Sequence, residues 1–241
     1  MTAFVLVHGS WHDGSGWDAV AAHLRKAGHS VTAPTLPGHG RGASPDVGFA
    51  DYVAAVADAV RAAKEERVVL VGHSLGGAVV AAAAGLVRER LERLVFLAAI
   101  IPAHGERLLD VLPPASAEAF AAMAAASPDN AITLPWPVWR EAFIGDAETA
   151  VAQRAFDGLC PEPFRPVTEV IDSNGFETLE TPRSFINCRG DTAFPPGEWG
   201  FFPRFYNRLG LCRLIDIEGS HEVMFSAPER AAQAILQAAR D

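Results

Sequence analysis

The chain has 241 residues, 49% of them apolar and 20% charged, with a formal net charge of −9 at neutral pH. That length suits one large α/β domain carrying an insertion, the composition is that of a soluble globular protein, and no apolar run reaches the ~18 residues of a membrane helix. The negative balance repels phosphate backbones and anionic lipid, so neither nucleic acid nor a membrane is expected as a partner.

Short apolar runs alternate with helical patterns along the chain. Residues 3–8 (AFVLVH) read as a buried strand, 16–28 as an amphipathic helix, 30–34 as a strand and 49–64 as a helix. Residues 67–72 (RVVLVG) form the next strand, followed by an alanine-rich helix over 75–88 and a strand over 93–99. A strand at 183–188, a helix at 197–209, a strand at 211–217 and a helix over 228–240 close the series. Such alternation predicts a doubly wound α/β fold, a mostly parallel sheet of about six strands with helices on both faces. Residues 102–181 break the rhythm with prolines and aromatics and read as an inserted, mostly helical cap. The expected division is a core of 1–101 and 182–241 with a cap between its parts.

Cys160, Cys188 and Cys212 are odd in number and lack metal-ligand spacing, so they read as reduced structural thiols. Met1 leads within two residues into Phe4-Val5-Leu6-Val7, too short and without the basic leader of a secretion signal. The expected location is cytoplasmic.

The strand at 67–72 runs into Gly72-His73-Ser74-Leu75-Gly76, a GxSxG turn opening a small-residue helix. Such an elbow strains a serine into view at the carboxyl end of the sheet and aims a helix N-terminus at it. A serine hydroxyl needs a base, and the base needs an orienting group. Of eight histidines, His221 alone follows the last strand and falls on the same rim as Ser74, while His23 and His29 read as surface residues of the first helix and His73 as the variable position of the elbow. Asp191, directly after the penultimate strand, is the candidate acid; Asp216, inside the last strand, is its competitor. Backbone N–H groups of Ser10 and Leu75 are the candidate oxyanion hole, with Gly9 leaving room for substrate. Trp11 beside them, Trp136, Trp139 and Phe143 of the insertion, and Met224 beside His221 are candidate pocket residues.

With FVLVHGSWHDGSGW, LPGHG, GHSLGG, CRGDTAFPP and GSHEVMFSAP in this order, the chain resembles the alpha/beta-hydrolase superfamily over nearly its full length. Within it, these motifs look like the branch of plant hydroxynitrile lyases, salicylate-type methylesterases and small bacterial esterases. The resemblance implies Ser74 as nucleophile, His221 as base, Asp191 as orienting acid, no metal and no organic cofactor, and a small-molecule ester as substrate. It leaves open a lyase or a silent ligand receptor on the same fold, and any oligomeric state, a homodimer included. Lyases of that branch carry a threonine after the first-strand histidine and a lysine after the catalytic one. Gly9 and Glu222 stand there here, and a glutamate beside departing cyanide would repel it.

Overall fold

The computed structural model describes residues 1–240. Six strands form one parallel sheet: β1 (Ala3–Val7), β2 (Ser30–Thr32), β3 (Val68–His73), β4 (Leu91–Leu97), β7 (Arg183–Cys188) and β8 (Cys212–Ile217), in the spatial order β2-β1-β3-β4-β7-β8. The remaining two strands, β5 (Ala131–Ile132) and β6 (Glu162–Pro163), pair antiparallel as a separate ribbon.

Successive side chains of a strand point to opposite faces, and each face here has its own core. Val5, Val7, Leu70, Leu94 and Phe96 enter one apolar cluster with α2 (Phe49–Ala62) and α3 (Leu75–Ala84). Phe4, Leu6, Val69, Val71, Val95 and Leu97 enter the other with α1 (Asp18–Lys26) and the C-terminal α11 (Pro228–Ala238). The sheet is therefore covered on both sides, as expected of near-continuous apolar strands.

Between β4 and β7, which pair directly, the chain makes α4 (Leu108–Val111), α5 (Pro114–Ala126), α6 (Trp136–Val138), α7 (Thr149–Asp157) and α8 (Phe164–Thr168) along with the β5–β6 ribbon. Most of these elements are short. The helix expected over 197–209 is reduced to α9 (Phe201–Arg204) and a single tight turn, because Phe202 leaves helical geometry and Pro203 cannot donate to a helical ladder. One further short helix, α10 (Val223–Ser226), precedes α11. No helix among the described residues is long and apolar enough to cross a membrane.

Candidate active site

Strand order reverses between β1 and β3, with β2 lying outside β1 and the other strands extending from β3. In an open parallel sheet, the crevice beyond the carboxyl ends of the strands at such a reversal receives ligands. The loop after β1 brings Ser10 and Trp11 to a cavity of about 410 Å³, and the turn from β3 to α3 brings Ser74.

Ser74 has φ 52° and ψ −124°, a conformation L residues rarely adopt. Leu97 O accepts from its N–H at 3.3 Å, and its own carbonyl accepts from Ile100 N at 2.9 Å and Gly77 N at 3.0 Å. Packing around the turn is close: a Cβ on Gly76 would lie 2.6 Å from the His8 carbonyl oxygen, and one on Gly9 would lie 2.8 Å from Ser74 Cβ. Glycine at both positions lets the loop after β1 pass directly over the elbow. Gly9 thus touches Ser74 itself and does not line the cavity.

Leu75 opens α3, so its N–H belongs to the partly positive helix N-terminus. The Ser10 N–H is aimed by its peptide partner. Leu36 N donates to His8 Nε2 at 2.9 Å, which leaves the imidazole proton on Nδ1 to hold Gly9 O at 2.8 Å. In a trans peptide C=O and N–H point in opposite directions, so fixing the Gly9 carbonyl fixes the Ser10 N–H. Neither this N–H nor that of Leu75 has an acceptor among the described residues.

His221 sits between β8 and α10, almost wholly buried, with Nδ1 donating to Asp191 Oδ2 at 2.7 Å. The other Asp191 oxygen accepts from Ala193 N at 3.0 Å. With Nδ1–H committed to the carboxylate, Nε2 keeps the lone pair a base requires. Burial alone would push the His221 pKa down; the adjacent Asp191 charge and hydrogen bond, with Glu222 behind, outweigh it and leave the imidazole above its ordinary value. Ser74 and His221 line the same cavity without a hydrogen bond between them, and such bonds tighten when substrate arrives. Asp216 lies elsewhere, accepting from Asn187 Nδ2 at 2.8 Å and facing Arg189 at 3.7 Å.

The contacts made by the residues behind His221 carry no signal in the sequence. Glu222 is buried, its carboxylate accepting from His12 Nε2 at 3.1 Å. Burial opposes its ionisation, but His12, His73 and His221 hold its pKa at about 2. Glu222 does not line the cavity, which corrects the expectation that its charge would face a departing anion: His12, from the loop after β1, has drawn it inward. His73 is no free position either. Burial drives its pKa down to about 3, and the neutral ring donates from Nε2 to the His221 carbonyl at 3.1 Å.

Trp11 and Phe143 line the cavity, together with Leu112, Ser116, Phe120, Met123, Phe194 and Phe201. Three expected pocket residues do not. Trp139 is wholly buried because its indole N–H finds the Ala152 carbonyl at 3.1 Å inside the core. Trp136 packs edge-on against Phe156, and Met224 fills the core on the other sheet face beside Trp17 and His73. No lysine, arginine, aspartate or glutamate lines the cavity. His73, His221 and Glu222 form the one grouping of metal-type ligands among the described residues; His73 Nε2, His221 Nδ1 and the Glu222 carboxylate are engaged by His221 O, Asp191 and His12, while His73 Nδ1 is buried without a partner.

A strained serine after the third strand, with a buried histidine–carboxylate pair on the same rim of a doubly wound sheet, defines a class. The alpha/beta hydrolase family model matches residues 4–234, and the chain belongs to that family. It is 30% identical to a carbendazim hydrolyzing esterase from Nocardioides sp. (strain SG-4G) over 97% of this chain and 98% of that one. To a pyrethroid hydrolase from Sphingobium wenxiniae it is 27% identical, over 98% and 86% of the two chains. Among solved structures it superposes on an extracellular alpha/beta-hydrolase from a Paenibacillus species with a TM-score of 0.96 and 35% identity over the whole of both chains. That protein is described as sharing structural and functional homology with tobacco salicylic acid binding protein 2.

Proposed function

We propose that the protein is a serine esterase acting on small, uncharged carboxylic esters through an acyl-enzyme. The observation that carries this reading is the cavity itself: Ser74 and His221 meet in an apolar space with no charged side chain to neutralise an ionic substrate. The relatives named as a carbendazim hydrolyzing esterase and a pyrethroid hydrolase, each matched over nearly the whole of this chain, support it.

In this mechanism Ser74 Oγ attacks the ester carbonyl carbon while His221 Nε2 takes its proton. The N–H groups of Ser10 and Leu75 hold the tetrahedral oxyanion, and Asp191 stabilises the imidazolium. The carbon–oxygen bond to the alcohol then breaks as His221 protonates the leaving oxygen. Water, deprotonated by the same imidazole, attacks the acyl-enzyme and releases the acid.

We assign residues 102–181 as a cap, with α5 forming a cavity wall through Ser116, Phe120 and Met123. Cyanohydrin cleavage fits less well: Gly9 supplies no hydroxyl, and no cation lines the cavity to stabilise cyanide. Three unpaired cysteines suit a reducing compartment, and we place the enzyme in the cytoplasm. Because the Paenibacillus neighbour is described as extracellular, fractionation of the native cells decides the location.

The test of the chemistry sets a panel of methyl, aryl and short-chain acyl esters against mandelonitrile, with Ser74→Ala as blank. A fluorophosphonate should label Ser74 alone, and serine-dependent ester hydrolysis should exceed cyanide release. Labelling of another serine, or cyanide release faster than hydrolysis of every ester, would overturn the assignment.

A further inference from the structure

The segment between β4 and β7 does more than enclose the cavity. Its β5–β6 ribbon reaches the loop that carries the oxyanion donor, and it does so at one residue. Trp11, which follows Ser10, has φ 66°, a left-handed conformation unfavourable for a large side chain. Such a conformation persists only where the surroundings over-determine it. Here every polar group of Trp11 is engaged by the ribbon or the turn beside it. Its N–H donates to Glu162 Oε2 at 3.4 Å, its carbonyl accepts from Cys160 N at 2.8 Å, and its indole N–H donates to Ile132 O at 3.1 Å. Ile132 and Glu162 are directly paired in the ribbon, so one pair of facing residues grips both ends of the tryptophan.

Glu162 is itself fixed. Only 1% exposed, it accepts from His39 Nε2 at 2.8 Å and from Tyr52 Oη at 3.0 Å. Both ring nitrogens of His39 face oxygen acceptors, Glu162 and Pro37 O, so the ring fits as an imidazolium that compensates the buried carboxylate. The next ring along is His8, edge-on to His39 at 4.9 Å. Burial, with the His39 charge adding to it, keeps His8 neutral, as its hold on Gly9 O demands.

We propose that Glu162 is a positioning residue for the oxyanion hole: by holding the Trp11 N–H it fixes the second of the two peptides that flank Ser10, the first being held at Gly9 O by His8. The Ser10 N–H lies between these two anchors. With either peptide free to rotate, the loop carrying the donor loses its fixed direction, and a misaimed donor weakens transition-state binding without changing how the neutral ester docks. No motif marks this residue in the sequence, where it sits between Pro161 and Pro163.

This inference rests on the assignment of Ser10 to the oxyanion hole, and its test is chosen to fail separately. Glu162→Leu keeps much of the size but offers the Trp11 N–H no acceptor; Glu162→Asp keeps the charge but withdraws it from Trp11. Both are measured on the best ester of the panel, with active sites counted by fluorophosphonate so that misfolded protein is excluded. Either variant should lower kcat by ~10- to 100-fold with KM within about threefold. Affinity for a boronic acid that adds to Ser74 should fall in parallel, while an unreactive amide analogue of the ester should bind as before. Phosphonylation of Ser74 uses the same hole and should slow comparably, so this arm stands even if no ester of the panel is cleaved. Tyr52→Phe, which leaves the contact with Trp11 in place, should cost about threefold or less. Unchanged kcat and phosphonylation rates in whichever variant folds would overturn the proposal, as would a loss seen equally in KM and amide binding.

Discussion

Every residue of β3 and of α3 is buried, whereas α5, which lines the same cavity, buries only Ala124 of its thirteen residues. The two regions place side chains by opposite means. Around Ser74 the backbone is packed so closely that a methyl group on Gly9 or Gly76 would collide with its neighbours, and Ser74 itself sits at positive φ. Along α5 the contacts are few and made by long side chains such as Phe120 and Met123, which can change rotamer without moving the sheet. Under the proposed function, a tightly buried rim and a loosely held wall divide the work: geometry for bond making on one side, adaptable shape on the other.

The sharpest way to break this division is at the rim. Asp191→Asn keeps the size of the side chain but lets Nδ1 of His221 lose its proton to the wrong tautomer, and kcat should fall by up to ~10⁴ with the fold intact. Asp216→Asn alters a carboxylate bonded to Asn187 and should leave the rate within about twofold. Steady-state rates with circular dichroism as the fold control check both, and the reverse ranking would move the acid to β8.

A second, smaller effect concerns Glu222. The base must be neutral to work, so kcat/KM should rise with pH through the pKa of His221, which Asp191 and Glu222 hold above its ordinary value against burial. Glu222→Gln removes one of those charges, so the acid limb should move to lower pH; a shift upward would refute the role. The sign for stability is separate. A carboxylate held at about 2 contributes stability above its usual 4.5, and that contribution is lost as pH falls from 4.5 toward 2. Acid unfolding of the wild type should steepen in that window and that of the variant should not.

The same contrast decides what could be read from the chain without coordinates. The sheet strands were legible to within two residues because a β-branched run ending in glycine has few other places to go; 67–72 was expected and Val68–His73 is found. That Ser10, Ser74, Asp191 and His221 share one rim was legible because each follows a strand and carboxyl ends lie together; the roles given to them belong to the proposed function. Side-chain direction in the insertion was not. Trp139 and Trp136 look like pocket aromatics, yet an indole goes where its N–H is satisfied, and that depended on Ala152 folding beside it. The wall instead comes from α5, whose alanine-biased sequence carries no chemical signal. Glu162 and Glu222 were illegible for another reason: their partners Trp11 and His12 lie 151 and 210 residues away in the chain.

On the wall, the expected effects are on preference and not on turnover. Phe120 lines the cavity and meets Trp11 edge-on at 5.6 Å, so Phe120→Ala should enlarge the substrate space. The ratio of kcat/KM for a bulky over a small ester should rise by ~10-fold or more, the scale of a methylene or two in an apolar pocket. Trp136→Ala, which empties a contact with Phe156, should lower Tm and leave that ratio alone. If Trp136 changes the ratio and Phe120 does not, the wall has been misassigned.

The smallest effect is the most direct reading of strain at the elbow. At φ 52° and ψ −124° any Cβ-bearing residue is strained, by ~1–3 kcal/mol in general, while glycine enters such regions without a Cβ penalty. Ser74→Ala and Ser74→Gly both delete the proposed nucleophile, so neither should turn over ester and neither bears a functional constraint. Ordinarily the alanine variant of such a pair is more stable by ~0.4–1 kcal/mol, because glycine loses more entropy on folding. Here the order should reverse, with Ser74→Gly the more stable by ~1 kcal/mol in urea titrations. That reversal would mean that the sheet and α3 hold the serine where its own backbone preference would not. The ordinary order would mean that the turn is relaxed, and that the fixed geometry ascribed to the rim comes from hydrogen bonds at Ser74 N and O alone.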